Sequence, residues 1–154
     1  MRKIVISDTS CFIILEKIGA LDLLHKLYGS VITTPQIADE FGLELPYWVE
    51  IKEVADRQKI KLLETNLGKG EASAIALAME YKDSLLILDD QKARKIALQL
   101  ELTYTGTVGI IIAAKKKQII QSIKPFIDKI KQTNFHISEE LEKQALQEAG
   151  EQIF

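Results

Sequence analysis

Short apolar runs alternate with helical patterns along most of the chain, and this alternation constrains the fold more than any other feature. The runs at Lys3–Ser7, Ser30–Thr33 and Ser84–Leu88 predict buried strands, and weaker ones are predicted at Ile60–Leu63 and Leu102–Tyr104. Strands that alternate with helices form a parallel sheet that is covered on both faces. We therefore predict an α/β fold with three layers (α/β/α) and a central parallel sheet of about five strands.

The predicted helices begin and end at residues that suit these positions. Thr34 can cap a helix, and Pro35 at the first helical position loses nothing by lacking an N–H. We expect one domain over residues 1–154, in which residues 119–154 form a C-terminal helical extension. The predicted helices are Asp8–Ile18, Ala20–Leu27, Thr34–Phe41, Leu45–Ala55, Glu71–Tyr81, Gln91–Leu100, Thr105–Lys117, Ile119–Lys131 and Ser138–Ala149.

Composition excludes several classes of protein. No apolar run approaches the roughly 18–20 residues that span a bilayer, and Asp8 interrupts the first apolar run too early for a secretory signal. The single cysteine, Cys11, excludes a disulfide framework and a multi-cysteine zinc site. The two histidines, His25 and His136, lie far apart in the chain and argue against a histidine-built metal site. We expect a soluble, cytoplasmic protein.

Acidic residues follow two of the predicted strands directly. Asp8 follows the first strand, and Asp89-Asp90 follow the run Ser84–Leu88. Glu40 and Glu71 lie on helices that can flank the same edge of the sheet. An acid after a strand is often only a helix cap. In open parallel sheets, however, ligands bind beyond the carboxyl ends of the strands, so we expect these acids to share one site.

Carboxylates that converge repel one another, so such a cluster takes up protons or needs a cation among its members. Mg²⁺ and Mn²⁺ prefer carboxylate and water oxygens. A site of this kind suits phosphodiester hydrolysis, because the ion activates water and stabilises charge on phosphoryl oxygens.

Positive charge is concentrated in the middle of the chain. Residues 91–131 contain nine Lys/Arg against two Asp/Glu, although the whole chain has a net charge of −2. Solvated helix faces explain most single lysines. Lys92, Arg94 and Lys95 follow Asp90 directly, and they can also offset the repulsion of a nucleic-acid backbone by an acidic pocket.

Six segments in this order match a known family. The ordered set resembles the PIN-domain (PilT N-terminus) nuclease family, and within it the VapC-like ribonuclease toxins. The segments are Val5–Ser10 (VISDTS), Thr34–Glu40 (TPQIADE), Gly70–Ala72 (GEA) with Ala74–Ala78 (AIALA), Leu86–Asp90 (LILDD) with Ala93-Arg94, Thr105–Gly109 (TGTVG) and Ala113–Lys115 (AAK).

The resemblance implies a Mg²⁺- or Mn²⁺-dependent endoribonuclease. Carried over by position, Asp8 is the first metal ligand, Glu40 the second acid and Asp90 the last acid, with Asp89 as the second choice. Glu71 falls where many relatives carry an aspartate at the start of a helix. Ser10 matches a small hydroxyl residue that steadies the first aspartate or a water.

Two further residues allow two interpretations each. Thr107 can donate its hydroxyl to a phosphate or support a helix cap. Lys115 can contact RNA or only complement a helix dipole.

Partners and alternatives follow from the same resemblance. VapC-like toxins dimerise and are held inactive by a small antitoxin protein, so we expect an RNA substrate, an antitoxin and a homodimer, and no membrane. The alternative is a PIN fold that binds RNA or a protein without cutting it. A phosphoryl-transfer enzyme with an aspartyl intermediate at Asp8 is disfavoured, because Ser10 stands where a second acid is needed.

Overall fold

The computed structural model describes residues 3–151, and a five-stranded, all-parallel sheet lies at its centre. The strands are β1 (Ile4–Ser7), β2 (Val31–Thr33), β3 (Val49–Ile51), β4 (Ser84–Ile87) and β5 (Thr103–Thr105). Their order across the sheet is β3-β2-β1-β4-β5. The predicted fold class, a three-layer α/β/α domain with about five parallel strands, is confirmed.

Helices connect the strands and cover both faces of the sheet. Within residues 3–151 they are α1 (Thr9–Lys17), α2 (Asp22–Tyr28), α3 (Pro35–Phe41), α4 (Arg57–Glu64), α5 (Lys69–Ala78), α6 (Gln91–Gln99), α7 (Thr107–Lys116), α8 (Lys124–Lys131) and α9 (Glu139–Glu148). None of them is both long enough and apolar enough to cross a bilayer.

The central strands and the small-residue helix α5 form the core. The side chains of Ile6, Leu86 and Ile87 are fully buried between the helical layers. In α5, every residue from Ala72 to Ala78 is buried, because alanines allow the helix to lie close to the sheet. The central strands β1 and β4 are mostly apolar on both faces, as a parallel sheet covered by helices requires.

The cap predicted for α3 is present. The Thr34 hydroxyl accepts a hydrogen bond from the Ile37 N–H at 3.2 Å, and Pro35 occupies the first turn. The helix ends at Gly42, whose φ of 73° lies in the left-handed region that glycine adopts without strain. The short α3 therefore holds Glu40 in a fixed place relative to the sheet.

The helix predicted at Leu45–Ala55 is wrong. In the structure this segment contains β3, which pairs with β2 in the register Val31↔Val49 and Thr33↔Ile51. Trp48 is buried and its ring stacks on that of His25, with 5.3 Å between the ring centroids. A three-residue strand has too little periodicity to be recognised, and pairing with β2 outweighs the helical spacing of the apolar residues.

The strand predicted at Ile60–Leu63 is also wrong, because these residues lie in α4. The Asp56 carboxylate caps this helix by accepting from the Lys59 N–H at 3.1 Å. Ile60 is buried, whereas Leu62 is 72% exposed. The aspartate three residues before Lys59 is the signal for a helix start that the sequence interpretation missed.

Four predicted helices have different starts in the structure. Helix α2 begins at Asp22 rather than Ala20, and α7 begins at Thr107 rather than Thr105, because Thr105 is the last residue of β5. Helix α5 begins at Lys69, because Gly68 serves as its N-cap and Glu71 completes the first turn. The helix predicted from Ile119 begins only at Lys124, after a loop.

Candidate active site

The carboxyl ends of β1 and β4 place two acidic segments side by side. These strands are neighbours, with Ser7 opposite Ile87, and the Asp8 N–H donates to the Ile87 carbonyl at 3.0 Å. The residues that follow the two strands therefore leave the sheet at the same edge.

A cavity of about 490 Å³ opens at this edge and brings together all five acids singled out in the sequence. We call it the acidic pocket. It is lined by Asp8, Thr9, Ser10, Ile13, Ile14, Lys17, Glu40, Glu71, Asp89, Asp90, Thr133, Asn134 and Phe135. The acids come from four separate parts of the sequence, so their convergence is a product of the fold.

Asp8 forms the buried floor of the acidic pocket, with only 3% of its surface exposed. Its Oδ1 accepts from the Cys11 N–H at 2.9 Å, which caps α1, and its Oδ2 accepts from the Asp89 N–H at 3.1 Å. Burial, followed by the nearby charge of Asp89, raises the pKa of Asp8 from 3.8 to about 8. The two backbone hydrogen bonds oppose this shift without cancelling it. At neutral pH Asp8 therefore holds a proton when no cation is bound.

Asp89 is half-buried beside Asp8, and the start of α7 fixes its carboxylate. Oδ1 accepts from the Thr107 N–H at 2.8 Å, and Oδ2 accepts from the Thr107 hydroxyl at 2.6 Å. A Cβ on Gly106 would collide with Asp89 Oδ1 and with the Arg94 guanidinium. The glycine is thus required for the close approach of these groups, and the Thr107 hydroxyl supports an acid rather than facing open solvent.

Asp90 plays a different part from its neighbour. It is exposed, and its Oδ2 accepts from the Ala93 N–H at 2.9 Å, which makes it the N-cap of α6. It lines the mouth of the acidic pocket. The resemblance favours Asp90 over Asp89 as a metal ligand. In the structure Asp90 lies at the start of α6, and the backbone N–H of Asp89 donates to Asp8.

Glu40 and Glu71 both line the acidic pocket near the first turn of α5. Glu40 Oε1 accepts from the Thr9 hydroxyl at 2.7 Å, and Glu71 Oε1 accepts from the Gly68 N–H at 3.0 Å. Gly70 lies so close to Glu40 that a Cβ there would overlap the carboxylate. Burial, and then the charge of Asp90, raises the pKa of Glu71.

The remaining wall of the acidic pocket was not anticipated from the sequence. Besides Ser10, which the sequence singled out, the acidic pocket is lined by Lys17 and by the segment Thr133–Phe135 between α8 and α9, which it did not. Thr9 also lines the acidic pocket, and its position directly after Asp8 is the local signal that could have identified it. The segment 133–135 lies more than a hundred residues after Asp8 in the sequence. No local pattern in it indicates that it belongs to a site.

The cations predicted to contact RNA lie outside the acidic pocket. Lys92 and Lys95 are exposed on α6. Arg94 Nε donates to the Leu88 carbonyl at 2.6 Å, and its guanidinium lies over the Tyr104 ring, 5.4 Å from the centroid. Lys115 is paired with Glu151 at 3.0 Å. Arg94 therefore buttresses the turn that carries Asp89, and Lys115 is engaged within the protein.

The acidic pocket fits a hard divalent cation by the chemistry of its donors. Every acid offers carboxylate oxygens, and each oxygen has a second lone pair beyond the hydrogen bond that it accepts. No lysine or arginine of residues 3–151 makes an ion pair with any of the five acids. Among residues 3–151, no three of the acids are close enough to one another to bind a single ion as they stand. A cation therefore has to draw them inward.

Comparison with protein-family models gives a match to a family described as a PIN domain, over residues 4–151. No curated protein matches the chain. The match spans all five strands and all five acids. Proteins of this family are in general nucleases that use divalent metal ions.

Proposed function

The chain belongs to the PIN-domain family, and on that premise we propose that it is a Mg²⁺- or Mn²⁺-dependent endoribonuclease that hydrolyses RNA phosphodiester bonds. The observation that carries the proposal is the floor of the acidic pocket, where Asp8 and Asp89 lie side by side and neither forms an ion pair with a lysine or arginine of residues 3–151. Carboxylates that lie together at the edge of a sheet without a cationic partner favour the binding of a divalent cation from solution.

In this proposal Asp8 and Asp89 hold the ion at the floor, and Glu40, Glu71 and Asp90 complete its surroundings at the rim. A divalent cation at this place supplies Lewis-acid stabilisation of the phosphoryl oxygens and increases the acidity of water. Thr107 orients Asp89 through two hydrogen bonds, and the Cys11 and Asp89 N–H groups orient Asp8. These fixed donors keep both ligands in place before the substrate arrives.

Glu71 is the group best suited to accept a proton from the attacking water. Its Oε1 is bonded to the Gly68 N–H, which leaves Oε2 available to take the proton. The raised pKa of Glu71 brings it closer to neutrality, where a general base works most effectively.

The decisive experiment compares two acids of similar exposure that lie in different places. The purified full chain is expected to cleave a mixed-sequence RNA in Mg²⁺ or Mn²⁺ and to stop in EDTA. Asp8→Asn should lower the rate by roughly a thousandfold, because several kcal/mol of transition-state stabilisation depend on the ion. Glu142→Gln is the matched control. Glu142 is buried on α9 outside the acidic pocket, and its loss should leave the cleavage rate unchanged.

Two results would contradict this function. One is cleavage by Asp8→Asn at the rate of the parent. The other is the absence of any metal-dependent cleavage by pure protein that still melts cooperatively.

One observation favours a second candidate, a PIN fold that binds RNA or a protein without cutting. Among residues 3–151, no three acids are already arranged around a single ion position. A binding module requires no such arrangement. RNA binding by the parent with no cleavage in Mg²⁺ or Mn²⁺ would establish this alternative.

We also propose that the chain is the toxin of a type II toxin–antitoxin pair, active as a homodimer in the cytoplasm and inhibited by a small antitoxin protein. The support is the ordered resemblance to VapC-like toxins. Expression of the chain alone should arrest growth, Asp8→Asn should relieve the arrest, and a small protein encoded beside it should do the same. Growth without arrest at full expression of the active chain would exclude this role.

A further inference from the structure

A second cavity continues from the acidic pocket toward the C-terminal ends of α1 and α8. It has a volume of about 550 Å³ and shares Lys17, Thr133 and Asn134 with the acidic pocket. Its lining is completed by Ile18, Lys129 and Gln132. Because the two cavities share three residues, they adjoin and form one groove that runs from the acids past Lys17 to Lys129.

The two lysines in this groove differ from their neighbours. Lys124 and Lys131, also on α8, are both held by Glu142, at 2.9 and 2.6 Å. Within residues 3–151, neither Lys17 nor Lys129 has a carboxylate oxygen within 4.0 Å, although both are exposed. On α8, therefore, the two lysines that do not line the groove are neutralised by Glu142, and the one that lines it, Lys129, is not.

A helix dipole explains part of this placement, since Lys17 lies in the last turn of α1 and Lys129 in the last turn of α8. It does not explain why two separate helices bring their lysines to one groove that leads to the acids. A phosphate chain approaching the acidic pocket is repelled by it, and cations alongside the path offset this repulsion.

We propose that Lys17 and Lys129 form a phosphate-binding subsite for the part of an RNA strand that lies next to the cleaved bond. This inference rests on the proposed function. Helix α1 runs from Thr9 to Lys17, so its rise places Lys17 about 13 Å along the axis from the floor of the acidic pocket. At that distance the subsite meets a phosphate further along the strand rather than the one being cleaved. Asn134 and Phe135, between the two ends, can contact the intervening base.

This assignment moves the RNA contact away from the basic helix α6. Lys92 and Lys95 are exposed, but they line neither of the two cavities that form the groove. In the same RNA-binding assay, replacing Lys17 and Lys129 should therefore weaken binding, whereas replacing Lys92 and Lys95 should not.

The test is RNA binding by the double variant Lys17→Gln/Lys129→Gln, measured by fluorescence anisotropy with a labelled single-stranded oligoribonucleotide. Asp8→Asn serves as the background so that the probe is not cut. Affinity should fall roughly tenfold at low salt. The slope of log affinity against log salt should decrease by about 1.4, because a single strand loses about 0.7 for each phosphate contact removed. In the active background, KM should rise and kcat should stay unchanged.

Lys82→Gln is the control for charge alone. Lys82 is exposed in the loop before β4, at the opposite edge of the sheet, and its replacement should leave affinity and salt slope as they are. Lys17→Arg/Lys129→Arg should retain binding, since it keeps both charges.

The outcomes separate the subsite from the nuclease. If the parent cleaves RNA and the glutamine variant binds and cleaves as the parent does, the subsite is overturned and the proposed function stands. If binding depends on Lys17 and Lys129 but nothing is cleaved, the subsite is supported and the nuclease is not. Failure of the parent to bind RNA would overturn both.

Discussion

Two buried carboxylates, Asp8 in the acidic pocket and Glu142 on α9, have opposite electrostatic environments. Glu142 accepts from the ammonium groups of Lys131 and Lys124, and these two hydrogen bonds lower its pKa. Asp8 accepts only from backbone N–H groups and lies beside a second acid, and its pKa rises to about 8.

The contrast between Glu142 and Asp8 shows that this fold places lysines beside one buried acid and not beside the other. Glu151, which follows α9, is likewise paired with Lys115, and it also accepts from the Ser122 hydroxyl and the Ile123 N–H. Within residues 3–151, the acids of the acidic pocket accept hydrogen bonds from hydroxyl and N–H groups, but none of them is paired with a lysine or arginine. Acids without a cationic partner in a cleft are typical of functional sites.

The largest expected effect is on the pH dependence of stability without metal. The pKa of Asp8 is 3.8 when unpaired and about 8 in the folded state, so the folded protein binds one more proton between these values. The unfolding free energy should therefore decrease with rising pH, by about 1.4 kcal/mol per unit through the range from about 5 to 7. Below pH 3.8 the contribution is fully present, and above pH 8 it is lost.

Asp8→Asn provides the reference for this measurement, because it removes the titrating group and keeps an oxygen to cap α1. Urea unfolding of the parent and the variant in EDTA at several pH values gives the two slopes. Parallel slopes would mean that Asp8 is not held protonated, and the contrast with Glu142 would fail.

The next effect distinguishes two acids within the acidic pocket. Asp89→Asn should reduce cleavage by about a hundredfold, since Asp89 lies against Asp8 and is held by Thr107. Asp90→Asn should cost less than tenfold, because asparagine caps a helix as well as aspartate does. Rates measured at saturating Mn²⁺ decide the matter. The reverse ranking would make Asp90 the principal ligand, as the sequence alone suggested.

The smallest effect concerns the neutralised acid. Glu142→Gln weakens the contacts with Lys124 and Lys131 and should lower the melting temperature by about 2–4 °C without changing the cleavage rate. Differential scanning calorimetry measures the shift. A loss of cleavage in this variant would show that the two regions are coupled, and that Glu142 is more than a packing residue.

Much of the fold was predictable because its elements carry local signals. The apolar runs ending at Ser7 and Leu88 and the Thr34-Pro35 helix start predicted the central strands and α3. The errors fell where tertiary contacts decide the structure. Val49–Ile51 becomes a strand only because β2 offers it a partner, and Ile60 lies in a helix whose single buried residue gives no periodic pattern.

The site was predictable to the extent that strand ends determine it. That Asp8 and Asp89 meet follows from the adjacency of β1 and β4. The roles proposed for Asp89 and Asp90 do not follow from it, because they rest on Thr107, which donates to Asp89 from a helix later in the chain. The engagement of Lys115 by Glu151 and the contribution of Phe135 to the acidic pocket likewise depend on long-range packing.

Calorimetric titration with Mn²⁺ at pH 7, in buffers of different ionisation enthalpy, tests most directly whether the acidic pocket is kept for a cation. Ligating carboxylates must be ionised, so binding should release about one proton, the one that Asp8 holds. Asp8→Asn should bind the ion far more weakly and release no proton. If the parent takes up no Mn²⁺, or binds it as Asp8→Asn does, the acidic pocket is not a metal site.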